Sequence, residues 1–140
     1  MNSLLIQRLS ENATIPIRSS EGSAGLDVFS SENVIIKANF QEIVNTDFAI
    51  KCPHGTYARL ADRSSLALKK IRLSGGVIDS DYTGPVKVVL QNYGDVDYQI
   101  AKGDRICQMI ITPVSFPHIK EVDKLPHTER GVKGFGSTGI

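Results

Sequence analysis

The chain has 140 residues, with 16 Lys and Arg against 15 Asp and Glu for a net charge of +1. That length suits one domain that buries most of its apolar surface without disulfide or metal staples, and the balanced charge excludes an overall field driving it onto nucleic acid or an anionic membrane. Residues 1–8 turn polar too soon for a secretory signal, no apolar run approaches the ~20 residues of a spanning helix, and Cys52 and Cys107 lack zinc or redox spacing, so the expectation is an untargeted intracellular protein with reduced thiols.

Along the chain, β-branched or alternating runs at 34–37, 42–50, 57–61 and 86–90 recur with turn residues between them, which predicts an all-β barrel or sandwich. Within 42–50, Val44, Thr46, Phe48 and Ile50 alternate with Ile43, Asn45, Asp47 and Ala49, so one face of that strand is expected to be apolar and the other largely polar. One short helix is predicted over 64–70, about two turns long, with Ser64 or Ser65 as its cap. The segment 75–84 reads as a hairpin whose arms are Val77-Ile78 and the strand at 86–90. Asn92-Tyr93-Gly94-Asp95 and Lys102-Gly103-Asp104 carry the residues of tight turns and are expected to close further hairpins.

Four segments hold chemistry. The last, residues 130–140, has four glycines in eleven residues and on propensity forms neither helix nor central strand. Its free N–H groups, the hydroxyls of Ser137 and Thr138, and the charges of Arg130 and Lys133 are the parts of a phosphate cradle. Phe135, which gains nothing in a solvated tail, is suited to stack on a nucleobase. In 75–84, Asp79 follows an apolar pair and precedes a polar turn, a position from which a carboxylate can deprotonate a water. Asp62-Arg63-Ser64-Ser65 leads a strand into a helix start and makes an anion site. Gln108 stands in an otherwise apolar strand, where a buried amide must find partners. Each segment also has an ordinary explanation when read alone: a frayed tail, Asx turns, a capped surface helix, a satisfied structural amide.

Their order is more informative. Ala24-Gly25-Leu26-Asp27-Val28, Asp62 to Ala67, Gly76 to Gly84, Gly103 to Met109 and Arg130 to Gly139 resemble the five ordered motifs of trimeric dUTPases. The resemblance implies a distorted jelly-roll with one short helix and a C-terminal Gly-rich arm from about residue 128, assembled as a homotrimer in which all three subunits build each active site. It implies Mg²⁺-dependent hydrolysis of dUTP to dUMP and pyrophosphate, which keeps uracil out of DNA and supplies dUMP for thymidylate synthesis. By the same resemblance Asp79 is the general base, Tyr82 packs under the deoxyribose, and Gly76, Val77, Ile78 and Lys87 line the uracil edge. Arg63, Ser64, Ser65 and Gln108 hold the phosphates. Arg130, Phe135, Gly136, Ser137 and Thr138 close over the nucleotide from the arm. Asp27 is at most a partner of the Mg²⁺ through water.

Several positions depart from that pattern. Asp62 stands where the family usually has proline, and its carboxylate either weakens phosphate affinity or pairs with Arg63. Ser65 replaces a usual glycine, Pro85 removes an N–H just past the loop, and Lys133 adds charge to the arm. Two rivals share the fold: a dCTP deaminase, which needs a glutamate base in the pocket, and a regulator that binds nucleotide without turnover. A plain β-sandwich binding module would leave the motif order as coincidence.

Overall fold

Alternation decides the longest strand. In β4 (Gln41–Lys51) Val44, Thr46, Phe48 and Ile50 are all buried, whereas Ile43 is exposed and Asn45 and Asp47 are half-covered, as a period-two strand on one core requires; Ala49, expected on the outer face, is buried as well, past the register shift between Asn45 and Ala49. The computed structural model, which describes residues 2–136, sets β4 inside a four-stranded sheet with β1 (Leu5–Arg8) on one side and β8 (Pro85–Asn92) then β6 (Ile71–Ser74) on the other. A second sheet orders β2 (Leu26–Phe29), β10 (Arg105–Pro113), β5 (Thr56–Ala61) and β7 (Val77–Ile78), and a ribbon pairs β3 (Val34–Ile36) with β9 (Tyr98–Ile100). Every pairing is antiparallel. The described residues form an all-β jelly-roll with one short helix.

Both sheets and the ribbon feed a single core. Val44, Phe48, Val86, Val88 and Leu90 come from the first sheet, Val28, Ala58, Ile106 and Met109 from the second, and Ile36 and Ile100 from the ribbon. Three polar side chains are fully enclosed and hydrogen-bonded: Ser30, which donates to the Glu32 carbonyl at 2.6 Å, Thr46 and Asn92. Thr46 donates to the Val86 carbonyl at 2.6 Å. Asn92 donates to the carbonyls of Ile36 and Val96 and accepts the Gly94 N–H, each at 2.9 Å, so burial leaves none of its hydrogen-bonding ends empty. Cys52 and Cys107 are free and buried. Among the described residues no helix is long and apolar enough to cross a membrane.

Four local expectations need correction. Val77-Ile78 and the 86–90 strand are not arms of one hairpin. β7 pairs with β5, Ile78 opposite Ala58 and Val77 opposite Arg59, while β8 pairs with β4 and β6 in the other sheet. The segment between them therefore crosses from sheet to sheet. Likewise the turns at 92–95 and 102–104 close no hairpin, because β9 leaves the β8 sheet to pair with β3 and β10 joins β2 and β5. Helix α1 (Ser64–Leu68) is shorter than expected, and neither serine caps it: Arg63 is the N-cap, extended at φ −91° and ψ 133°, with no side-chain cap bond. Finally, Asp62 turns away from Arg63 toward β6, as described below.

Candidate active site

The crossover between β7 and β8 presents Asp79. Ile78 is buried and anchors one end, Val86 is buried and anchors the other, and the residues between them bridge the seam of the two sheets. A main-chain bond from the Tyr82 N–H to the Asp79 carbonyl, 3.0 Å, closes the turn, so its shape does not depend on either carboxylate. Asp79 is exposed. Val77, Ile78, Asp79, Tyr82, Pro85, Val86 and Lys87 line a cleft of about 250 Å³. The Tyr82 hydroxyl donates to the Pro85 carbonyl at 2.8 Å, which fixes the ring over the loop.

Gly76 stands at the cleft's approach. It has φ +110°, and a Cβ there would lie 2.8 Å from the Leu60 carbonyl oxygen. Its own carbonyl accepts the Leu60 N–H at 2.7 Å. Only glycine satisfies both the backbone angle and the close approach.

A second, larger depression of about 400 Å³ is lined by Arg63, Ser65, Leu66, Lys69 and Tyr98 on one side and by Gly103 to Ile106 on the other. Its polar wall is built from α1 and the start of β10. Ser64 and Ser65 open α1, where main-chain N–H groups have no acceptor within the helix. The Arg63 guanidinium reaches the Arg105 carbonyl only weakly, at 3.5 Å, and so remains available to an anion. Arg105 pairs through Nε with Asp27 at 3.4 Å and lies 5.8 Å from the Phe29 ring centre. Lys69 sits over the Tyr98 ring at 5.7 Å. Two guanidinium groups and an ammonium on one concave face favour an anion, offset in part by Asp104, which also lines it, and by Asp27, which pairs with Arg105.

Gln108 connects this groove to β2. Its Nε2 donates to the Asp62 carbonyl at 3.0 Å, so the half-buried amide does find a partner. Gly25 makes room for it: a Cβ on Gly25 would stand 2.6 Å from Gln108 Oε1 and 2.9 Å from Gln108 Cβ.

Within the protomer the expected residues thus separate: Asp79, Val77, Ile78, Tyr82 and Lys87 line one cleft and Arg63 and Ser65 the other, with Ser64 beside them on α1 and Gln108 bonded to the Asp62 carbonyl that precedes Arg63; the two clefts share no lining residue. The arm joins neither. Arg130 Nε donates to the Lys133 carbonyl at 2.8 Å in a local turn, and Phe135 is fully exposed. Ser137 and Thr138 lie outside the described residues. The sequence assigned no role to Arg105 or Lys69, and to Gly84 only the close backbone approach that a glycine at the end of the 75–84 segment allows. Arg105 was visible as the charged end of the Gly103-Asp104-Arg105 turn, but its approach to Asp27 depends on the β2 to β10 register. That what approaches Gly84 is the Tyr82 ring is seen only in the structure.

Comparison with known proteins gives one answer. The dUTPase family model matches residues 11–139. The chain is 49% identical to the deoxyuridine 5'-triphosphate nucleotidohydrolase of Oryza sativa subsp. japonica over 98% of this chain and 81% of that protein. It is also 49% identical to the enzyme of the same description from Paramecium bursaria Chlorella virus 1, over the full length of both. Among solved structures, the Staphylococcus bacteriophage 80alpha dUTPase with dUPNHPP superposes with TM-score 0.95 at 31% identity, covering all of both chains. The phage phi11 dUTPase variant that reveals coordination of a structural Mg(II) ion does so with TM-score 0.84 at 28% identity, covering 90% of this chain and all of that one. This chain belongs to the dUTPase family.

Proposed function

We propose that the protein hydrolyses dUTP to dUMP and pyrophosphate inside the cell, as a homotrimer whose active sites are shared between subunits. The observation that carries this is the exposed Asp79 carboxylate, held beside Tyr82 by a crossover loop whose main chain fixes its shape. Cleavage of a phosphoanhydride asks for an aimed nucleophile and neutralised charge rather than covalent help. Asp79 orients a water and takes its proton. Tyr82 fills the space under the deoxyribose where a 2′-hydroxyl would sit. The main chain around Gly76, Val77 and Ile78, with Lys87, reads the uracil edge, too closely for a 5-methyl group. Arg63, Ser64, Ser65 and Gln108 hold the phosphates, joined by Arg105 on the same groove. Arg130, Phe135, Gly136, Ser137 and Thr138 close the site and exclude bulk water.

Sharing between subunits is supported by the separation of the two clefts and by the C-terminal segment. Phe116, Ile119, Leu125 and Phe135 project from it at 74%, 100%, 78% and 113% exposure. A run of apolar side chains so exposed has no reason to exist on a lone protomer, and suits an arm lying on a neighbour.

The residues also fit Mg²⁺. Mg²⁺ dehydrates reluctantly and would be held chiefly by phosphate oxygens and water. Asp27, with Oδ2 paired to Arg105, is the carboxylate that would hold one of its waters. When bound, the ion supplies charge neutralisation on the triphosphate.

The deaminase alternative is not favoured, since the residues lining the Asp79 cleft include no glutamate. The deciding experiment measures pyrophosphate release from dUTP, dCTP, dTTP and UTP, with and without Mg²⁺, alongside sedimentation of the apoprotein. Cleavage of dUTP alone by a trimer is expected. Turnover of dCTP, or activity in a monomer, would overturn this assignment.

A further inference from the structure

Asp62 has no role in the chemistry proposed above, yet it holds three hydrogen bonds directly before Arg63, which lines the phosphate groove. Its Oδ1 accepts the Leu73 N–H at 2.6 Å, its Oδ2 meets Arg72 Nε at 3.3 Å, and its main-chain carbonyl accepts Gln108 Nε2 at 3.0 Å. These bonds come from two sheets. β6 is the outer strand of the first sheet, with β8 on its inner side, and the Leu73 N–H points off that outer edge. Gln108 lies on β10 in the second. Asp62 is the single residue between the end of β5 and the N-cap of α1, so whatever fixes it fixes the start of the helix that carries Ser64 and Ser65.

By charge alone a carboxylate next to Arg63 weakens anion binding. Here the carboxylate faces β6 and its charge is met by Arg72. We propose that Asp62 is a positioning residue for the phosphate groove: a side-chain staple between the sheets that holds the 62–65 turn so that Arg63 and the first N–H groups of α1 face the nucleotide before it arrives. The identity of the ligand rests on the function proposed above; the staple itself does not.

The two possible roles of Asp62 have opposite signs, which makes them separable. In the full-length protein, Asp62→Ala removes both the staple and the charge, whereas Asp62→Asn keeps an oxygen for the Leu73 N–H and loses only the charge. Calorimetric binding of a non-hydrolysable imido analogue of dUTP needs no turnover, and deoxyuridine, which has no phosphate, serves as the control. Expected for Asp62→Ala is an analogue Kd and a KM for dUTP raised about 10-fold, with deoxyuridine binding unchanged and kcat within about two-fold of the parent. Asp62→Asn is expected to recover most of the loss. Analogue binding that is unchanged or tighter in Asp62→Ala overturns the proposal, because that is the behaviour of a merely repulsive charge. So does an equal loss for deoxyuridine, which indicates general disordering. If Asp62→Ala does not fold, Asp62→Glu keeps the charge but moves the oxygens one methylene out of place. Weaker analogue binding is expected there too, and binding equal to the parent overturns the staple. Failure of the parent to cleave dUTP while the analogue still binds removes the assigned reaction and leaves the staple to be judged on these affinities.

Discussion

The Tyr82 hydroxyl donates to the Pro85 carbonyl at 2.8 Å, and the ring held in this way covers Gly84 so closely that a Cβ there would lie 2.7 Å from the phenolic oxygen. Gly84 has no positive φ, so alanine fits its backbone and the clash falls on the Tyr82 ring and hydroxyl, against the one hydrogen bond that holds them. Gly84→Ala is therefore expected to fold normally and to push the ring aside. If the ring is what excludes a 2′-hydroxyl, kcat/KM for dUTP falls about 10-fold and the preference for dUTP over UTP shrinks by a similar factor. Steady-state kinetics on both nucleotides check this. An unaltered preference would detach Tyr82 from sugar selection.

Asp79 gives a sharper test. Because a main-chain bond closes its turn, Asp79→Asn leaves the loop standing and removes only the base. Turnover is expected to drop at least ~100-fold, the lower bound typical of general-base catalysis, while the imido analogue binds within about three-fold of the parent. Rapid-quench or pyrophosphate-release assays at saturating dUTP read the first and calorimetry the second. Near-normal turnover would remove Asp79 from the role.

How these residues meet was only partly legible beforehand. The alternation of Val44, Thr46, Phe48 and Ile50 is a local property, and it gave the buried face of β4 correctly. Strand pairing is not local. Val77-Ile78, a polar turn and Val86 to Leu90 have the composition of a hairpin, but each arm packs where a long-range partner is found, Ile78 opposite Ala58 and Val88 opposite Val44. The order of the motifs pointed to Asp79 and Arg63 without showing that one protomer keeps them in separate clefts. The partners of Asp62 were illegible for the same reason, since Leu73 and Arg72 reach it only through the placement of β6 at a sheet edge.

Gly25 links packing to binding. A Cβ there meets Gln108 at both Oε1, 2.6 Å, and Cβ, 2.9 Å, and the second contact cannot be relieved by a rotamer change. β2 and β10 must move apart. Gly25→Ala is expected to destabilise the fold by about 1–3 kcal/mol, the usual cost of overpacking, and to weaken analogue binding by loosening the Gln108 to Asp62 bond. Urea unfolding and calorimetry measure the two effects. Adding Gln108→Ala should return part of the lost stability and none of the affinity; recovery of both would show that Gln108 has no part in holding phosphate.

Phe135 separates the arm from the body of the protein. It is fully exposed, so Phe135→Ala is expected to leave the unfolding midpoint unchanged. A ring that stacks on uracil contributes about 1–3 kcal/mol on the scale of base–aromatic stacking, so kcat/KM for dUTP should fall about 10-fold or more. The loss should be the same at low and high salt, because stacking is not screened, whereas an Arg130→Ala loss should shrink as salt rises. A Phe135→Ala variant with parental kcat/KM would confine the arm's role to its charges.

Cys107 makes stability depend on alkaline pH. It is fully buried on β10, and its thiol pKa is raised, chiefly by burial and further by the negative charge of Asp62. An unfolded cysteine ionises near ~8.5. Between that value and the folded one the native state keeps a proton that the unfolded state gives up, so the thiol's contribution to stability is complete below ~8.5 and is lost as pH climbs, by at most ~1.4 kcal/mol per pH unit. Cys52 adds in the same direction, since burial raises its pKa against the opposing effects of Lys51 and the Thr56 hydroxyl. The slope of a single protein does not isolate the thiol. The comparison with Cys107→Ala does: the variant starts less stable because of the space left behind, but its urea-unfolding free energy should decline less steeply between about pH 8.5 and 10.5. Parallel slopes for the two proteins would mean that Cys107 ionises in the native state as readily as in the unfolded chain, and that its burial does not hold the proton.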